Sequence, residues 1–143
     1  MRIDPFKPSD MLEMPDADTA EVRSVLAIHP EYLDWAAAHP SWTARIQGDV
    51  MACAGVFPVW PGRKQLWSVI SHKIGAGGMV VLTRAVTRGL AMMEPGRIEA
   101  HVREGFQPGI RWMLMLGFDC ETPEPMVKFL PDGAGAYMFA RAL

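Results

Sequence analysis

Cysteine is scarce in this chain: only Cys53 and Cys120 occur, and they show no metal-ligand spacing. That excludes a disulfide framework and points to free thiols in a reducing compartment. The four histidines are scattered, and no Cys-x-x-Cys pattern accompanies them. No metal site is therefore expected. Long apolar runs are missing too; none reaches the roughly 20 residues that a membrane-spanning helix needs. The segment Met1-Arg2-Ile3-Asp4-Pro5 has no signal-peptide core, so a cytoplasmic protein without membrane partners is expected. Neither sign of charge dominates. A net charge of -2 and a pI near 6.1 give no electrostatic footprint of a nucleic-acid binder.

What is present suits one soluble globular domain over residues 1–143, with half of the residues hydrophobic. Eleven methionines and five tryptophans stand out. Methionine fills irregular core gaps, and it also lines adaptable apolar grooves. Trp42, Trp60, Trp67 and Trp112 lack interleaved basic residues, so they read as core or groove lining rather than a nucleic-acid stacking platform.

Residues 2 to 7 predict a short edge strand, with Pro5 and Pro8 limiting its pairing. Asp18 and Glu21 form a capping-box pattern ahead of Val22, Val25 and Leu26, which predicts a first helix. Pro30 opens a second one through Leu33 and Trp35 to Ala38, ended by His39-Pro40. Alternating Trp42, Ala44 and Ile46 predict a strand that turns at Gln47-Gly48-Asp49-Val50 into an apolar return strand over residues 50 to 57. Pro58 and Pro61-Gly62 read as a loop, followed by a buried strand over residues 66 to 70.

A helix follows from Met79 to Met93, with Met79, Leu82, Val86, Leu90 and Met93 on one face, stopped by Pro95-Gly96. The next strand alternates cleanly: Ile98, Ala100 and Val102 against Arg97, Glu99, His101 and Arg103. Pro108 starts a short helix to Leu116, closed by Gly117. A strand over residues 126 to 130, a Pro131-Asp132-Gly133 turn and a last strand through Tyr137 and Phe139 complete an α/β plan.

Between the apolar strand and the Met79 helix lies His72-Lys73-Ile74-Gly75-Ala76-Gly77-Gly78. The first turn of a helix has backbone N–H groups without intrahelical partners and a partial positive charge. Glycines let an anion approach them closely, and a phosphate or pyrophosphate is the natural guest. Plain loop punctuation gives the same composition.

The element order, this glycine turn and Leu116-Gly117-Phe118 after the last helix resemble the GNAT family of acyl-coenzyme A N-acyltransferases. The family carries Arg/Gln-x-x-Gly-x-Gly/Ala at this strand-to-helix junction, and His72-x-x-Gly75-x-Gly77 stands in that place with His for Arg or Gln. Trp112-Met113-Leu114-Met115-Leu116-Gly117-Phe118 with Glu121 is similar to the family's aromatic-rich helix and its acidic follower. A narrower resemblance is to GNAT-like proteins of tailed phages and prophages, some of them internal virion or morphogenesis proteins. It rests on Met51-Ala52-Cys53-Ala54-Gly55-Val56 with Val59-Trp60-Pro61-Gly62, on Arg111-Trp112 through Phe118, and on Pro131-Asp132-Gly133.

The resemblance implies a mixed, mostly antiparallel sheet of six to seven strands flanked by about four helices. It implies acetyl-coenzyme A as cofactor, bound through Ile70, Ser71, His72, Lys73, Gly75, Ala76, Gly77 and Gly78, with Lys73 or Arg84 adding charge. Acyl transfer is direct, to an amine on a small molecule or protein. A lysine-type amine has a pKa of about 10.4, so a base must help remove its proton.

Glu99 and His101 are the candidate bases; with Arg97 and Arg103 they equally suit a solvated strand face. The family's general-acid tyrosine is replaced by Met113, which leaves water or Ser71 for that role and makes a catalytically silent phage protein, acting in virion assembly or on a host protein, the alternative reading. Such a protein resides in the host cytoplasm or the virion. The acceptor side corresponds to residues 28 to 40 and 123 to 135, where Glu121, Glu124 and Asp132 suit either a cationic amine or a solvated loop. Paired C-terminal strands or exposed tryptophans are compatible with a homodimer. Cys53 reads as a buried structural thiol, and Cys120, between Asp119 and Glu121, lies in a setting that disfavours the thiolate.

Overall fold

A computed structural model describes residues 1–14 and 31–143. Seven strands form one sheet: β1 (Arg2–Pro5), β2 (Ser41–Ile46), β3 (Asp49–Trp60), β4 (Arg63–Ile70), β5 (Arg97–Arg103), β6 (Asp119–Cys120) and β7 (Ala136–Ala142). The described helices are α1 (Pro8–Glu13), α2 (Tyr32–Ala37), α3 (Gly75–Ala91) and α4 (Gln107–Met115), and a 3-10 turn, His72–Ile74, precedes α3. Strand order is β1-β2-β3-β4-β5-β7-β6, and every neighbouring pair is antiparallel except β4 with β5. The mixed, mostly antiparallel sheet with four flanking helices matches the expected α/β fold class.

Period-two alternation decides which side of the sheet each helix covers. On one side, Ile98, Ala100 and Val102 of β5 pack with Leu90, Met113, Leu116, Phe118 and Phe139, beneath α3 and α4. Ala44, Ala52 and Leu82 extend that layer under α3. On the other side, Cys53 and Phe57 of β3 meet Met11 and Met14 near α1, and Leu33 and Ala36 of α2, with Trp67 and Val69 of β4 packed against them.

Several boundaries differ from expectation. Strand β3 runs to Trp60, so Pro58 sits inside a strand and the loop shrinks to Pro61-Gly62. The missing N–H of Pro58 is tolerated because β2 has already ended opposite Gly55, leaving that edge unpaired. The β2–β3 connection is a two-residue turn at Gln47-Gly48, both with positive φ (53° and 87°). Strand β4 begins at Arg63 and is half-buried rather than buried. No strand forms over residues 126 to 130; a single bridge, Met126 to Ala136, holds that loop, and Asp119–Cys120 pairs with β7 instead. Helix α3 starts at Gly75, so the glycines make its first turn instead of preceding it.

The helix expected from Asp18 and Glu21 lies outside the described residues. Helix α1 was not foreseen. Its signals are Pro8 in the first turn and Asp10 three residues after Lys7, whose backbone N–H donates to Asp10 Oδ2 at 3.0 Å. Asp10 is buried and also accepts from Thr43 Oγ1 at 2.8 Å and Arg45 Nη2 at 2.9 Å, tying α1 to β2.

Candidate active site

Strands β4 and β5 are in register at only three positions: Arg63 with Arg97, Lys64 with Ile98, and Gln65 with Glu99. Each strand then continues with its outer neighbour, β4 with β3 as far as Ile70 opposite Ala52, and β5 with β7 as far as Arg103 opposite Ala136. Beyond Gln65 and Glu99 the two inner edges share no ladder. Beyond that point their inward-facing backbone N–H and C=O groups have no partner in each other.

At the end of β4, Ser71 turns the chain. Its N–H donates to Met51 O at 2.8 Å, and its Oγ accepts the Lys73 N–H at 3.1 Å. Gly75 then takes φ +69°, a left-handed conformation natural to glycine, to enter α3. The amides of Gly75, Ala76 and Gly77 belong to the first turn and have no carbonyl four residues back within the helix. Among the described residues no side chain caps this terminus, and its first turn contains no acidic residue. A Cβ at Gly77 would meet nothing within 4 Å, so the space beside that residue is open.

Gly78 has a different task. A Cβ there would lie 2.6 Å from Ile74 Cγ1 and 3.2 Å from Ile46 Cδ1, so Gly78 lets the helix pack on β2. His72 and Lys73 are exposed beside the open amides, and Ile70 is half-buried at the end of β4. Arg84 lies nine residues along α3 from Gly75, about 13 Å at 1.5 Å per residue. It lines a shallow depression of about 320 Å³ with Met1, Ile3 and Arg88, and not the strand opening.

The strand face opposite α3 carries Gln65, Trp67 and Val69 on β4 and Arg97, Glu99, His101 and Arg103 on β5. Glu99 is only 4% exposed. Its Oε1 accepts from Arg63 Nε at 2.9 Å and its Oε2 from Arg97 Nε at 2.6 Å. Arg97 also forks onto Glu121. Burial alone pushes the Glu99 pKa up, but the hydrogen bonds from Arg63 and Arg97 outweigh it and hold the carboxyl below its ordinary value. Glu99 is thus an ionised, doubly bonded anchor at the vertex where the strands part.

His101 follows two residues later, with its ring edge-on to Phe129 at 5.0 Å between centroids. It keeps solvent access, yet the protein atoms crowded around the imidazole disfavour the charged form and lower its pKa. The structure therefore separates the two candidate bases. Both lie beside the opening, Glu99 bonded through both oxygens and His101 with its charged form disfavoured.

The tyrosine position of the helix that resembles the family's aromatic-rich one behaves as the sequence suggests: Met113 is 7% exposed and packs in the core. Tyr137 belongs to the same core layer, and Tyr32 lies on α2 beside Phe57. Ser71 is buried and its hydroxyl serves the 3-10 turn. Among the described residues no group of three or more His, Cys, Asp or Glu side chains is arranged to hold a metal ion, and no helix is long and apolar enough to cross a membrane.

An aromatic stack with Phe57 buried inside it adjoins this face and was not foreseen from the sequence. Trp35 stacks on Phe57 (4.1 Å, 11°), and Phe57 lies near-parallel to Trp67 (6.4 Å, 26°). The only available signal was a tryptophan on the second helix and alternate aromatics on β3 and β4.

No protein-family profile matches the chain, and no curated protein matches its sequence. Solved structures do. The fold is similar to that of a ribosomal-protein-alanine N-acetyltransferase from Brucella melitensis, at TM-score 0.65 and 14% identity over 100% of both chains. It is similar to a GNAT-family acetyltransferase from Bacillus anthracis, at TM-score 0.65 and 16% identity over 98% of this chain and 93% of that one. A candidate acetyltransferase from Salmonella typhimurium, solved with its cofactor acetyl-CoA, matches at TM-score 0.66 and 16% identity, over 100% of this chain and 94% of the other. At such identities the likeness is one of fold, and the fold is that of the GNAT acetyltransferases.

Proposed function

We propose, from a GNAT fold whose parallel strand pair opens beside an uncapped glycine helix terminus, that this chain is an acetyl-coenzyme A-dependent N-acyltransferase. The observation that carries the reading is the first turn of α3. It has amides without intrahelical carbonyl partners, no acidic residue and open space at the Gly77 Cβ position, which fits a diphosphate. Lys73 adds a mobile positive charge beside it. The inner edges of β4 and β5 beyond Gln65 and Glu99 supply backbone partners for the amide-bearing pantetheine arm.

Bound acyl-coenzyme A supplies an acyl group activated as a thioester. His101 accepts the proton of the attacking amine as the new N–C bond forms and the C–S bond breaks. Its lowered pKa keeps the imidazole neutral, and so able to accept, at neutral pH. The departing thiolate takes its proton from water, because Met113 has no proton to give. Glu99, tied to Arg63 and Arg97, holds the β4–β5 junction closed below the opening.

Calorimetric titration with acetyl-coenzyme A tests the reading. Micromolar binding that Gly77→Asp abolishes supports it; no heat at millimolar ligand overturns it.

A second reading has one specific observation in its favour. Met113 is buried where the family's tyrosine would stand, and a chain that has given up catalysis needs no proton donor there. With the resemblance to phage and prophage proteins, this supports a silent GNAT-fold protein acting in virion assembly or on a host protein. Acetyl-coenzyme A binding without turnover on any amine is its signature.

A further inference from the structure

We propose that the outer edge of β1, with the flank of α3 beside it, takes an extended acidic segment of a partner protein, added to the sheet as a further strand. The strand order puts β1 at one end of the sheet, and among the described residues only β2 pairs with it. The register fixes which of its backbone groups face outward. The Phe6 N–H donates to Ser41 O at 3.1 Å, so Asp4 and Arg2, two and four residues back, form the hydrogen-bonded pairs with Thr43 and Arg45. Ile3 lies between them, opposite Ala44, so its N–H and C=O point away from β2. Pro5 also takes an outward position, where its missing N–H costs the ladder nothing. The outward groups of Ile3 are a template for an incoming strand.

The side chains beside this edge determine what that strand carries. Ile3 lines the depression of about 320 Å³ with Val81, Arg84, Ala85 and Arg88 of α3. Arg2 and Asp4, on the opposite face of β1, are bonded to each other at 2.8 Å. Arg45, Arg63, Arg97 and Arg103 each hold a carboxylate. Arg84 and Arg88 are exposed and, among the described residues, hold none; α3 itself contains no acidic residue. Two arginines one helical turn apart are separated by about 6 Å along the axis. Alternate residues of an extended chain share one face and lie about 6.7 Å apart. Acidic side chains at every second position therefore match the two guanidinium groups, with Ile3, Val81 and Ala85 as an apolar floor between them. A second copy of this chain fits badly. Antiparallel pairing of β1 with itself about a two-fold axis would bring two positive α3 flanks onto one face of the joined sheet, with no carboxylate on either helix to offset them. None of these residues belongs to the β4–β5 opening, so the site stands whichever reading of that opening holds.

The test is calorimetric titration of the full chain, at low salt, with the end-blocked peptide Thr-Glu-Thr-Glu-Thr-Glu-Thr and its counterpart with Gln for Glu. The Glu peptide should bind at least about tenfold tighter. Arg84→Gln combined with Arg88→Gln should erase that preference while the melting temperature holds, since both side chains are exposed. Hydrogen exchange reads the strand addition itself: bound peptide should slow the outward Ile3 amide by at least about tenfold, and the Asp4 amide much less. Ile3→Pro, which removes only an outward N–H from the backbone, should weaken the peptide, whereas Ile3→Val keeps it. No binding of the Glu peptide at millimolar concentration overturns the inference, as does equal binding of the Gln peptide. Binding that leaves Ile3 exchange unchanged overturns the added strand. Tighter binding of a thymidine decanucleotide or of phosphatidylglycerol vesicles assigns the two arginines to phosphate and also overturns it. Binding that emerges only after Asp16→Asn and Asp18→Asn gives the site to the acidic pair of this same chain, and the partner segment is then wrong.

Discussion

Gln65 and Glu99 are the last residues at which β4 and β5 face each other in register, and Glu99 is also where Arg63 and Arg97 converge. The point where the sheet opens is therefore pinned by charge. Parallel ladders are slightly weaker per residue than antiparallel ones, and three paired positions would fray without such a clamp.

Glu99→Gln should unpin it. The variant leaves two guanidinium groups facing a neutral amide, and because both arginines keep some solvent, a loss of about 1–3 kcal/mol is expected. The sign with pH follows from the depressed carboxyl pKa. Its stabilisation is full above the ordinary carboxylate value and is lost as pH falls through the folded-state value. Wild type and Glu99→Gln should thus keep a constant gap above the ordinary carboxylate value and converge in denaturant stability only as pH falls below it, through the folded-state value. A gap that does not narrow at the most acid pH at which the chain still folds would remove the ionised clamp from the account.

The two glycines at the start of α3 make opposite predictions although they are adjacent. Gly77→Asp introduces a side chain into open space and puts a carboxylate in the first turn of a helix, where it is favourable by about 0.3–1 kcal/mol. The variant should melt no lower than wild type yet lose acetyl-coenzyme A affinity by at least tenfold. Gly78→Ala forces its methyl against Ile74 and Ile46 and should lower stability by about 1–3 kcal/mol. Thermal melts and calorimetry on the pair separate the diphosphate cradle from helix packing.

Thiol chemistry should distinguish the two cysteines. Cys53 is 0% exposed, and burial pushes its pKa up to about 11, so the nucleophilic thiolate is rare at pH 8. Cys120 is exposed, with its S–H directed to Thr122 O at 3.3 Å. An aromatic disulfide reagent should titrate one thiol per native chain and two after denaturation. Two fast equivalents in the native state would contradict the packing of β3 against Thr43.

How much of this was legible in the sequence follows from what local pattern can encode. The alternation from Arg97 to Arg103 placed β5 to the residue and sorted its two faces, because a half-buried strand writes its orientation in a period of two. Gly117, with φ +86°, closed α4 as expected. Pro58 misled, since whether a strand tolerates proline depends on a neighbour that ends at Ser41, far away in sequence. The Glu99 anchor was invisible for the same reason. Its role is set by Arg63, 36 residues earlier and on another strand. The stack of Trp35, Phe57 and Trp67 joins a helix to two strands, and only tertiary packing brings its rings together.

His101 offers the most direct test of the chemistry. Its pKa is lowered by burial, so in the folded chain it gains a proton only at a pH below the ordinary histidine value of about 6.5. An NMR titration of the ring should show a midpoint below that value. The unfolded chain binds this proton more readily than the folded one, so the contribution of His101 to stability is complete above about pH 6.5 and is lost as pH falls through the folded-state midpoint. If His101 takes the proton of the amine, kcat/KM should fall on the acid side with that same midpoint. His101→Gln should then lower turnover at least tenfold, abolish the acid limb and leave acetyl-coenzyme A affinity within about twofold, in line with the typical contribution of a general base. Phe129→Ala, by opening the ring to water, should move both the NMR midpoint and the acid limb upward together. A midpoint that moves while the limb stays fixed would take the proton away from His101 and assign it to another group or to solvent.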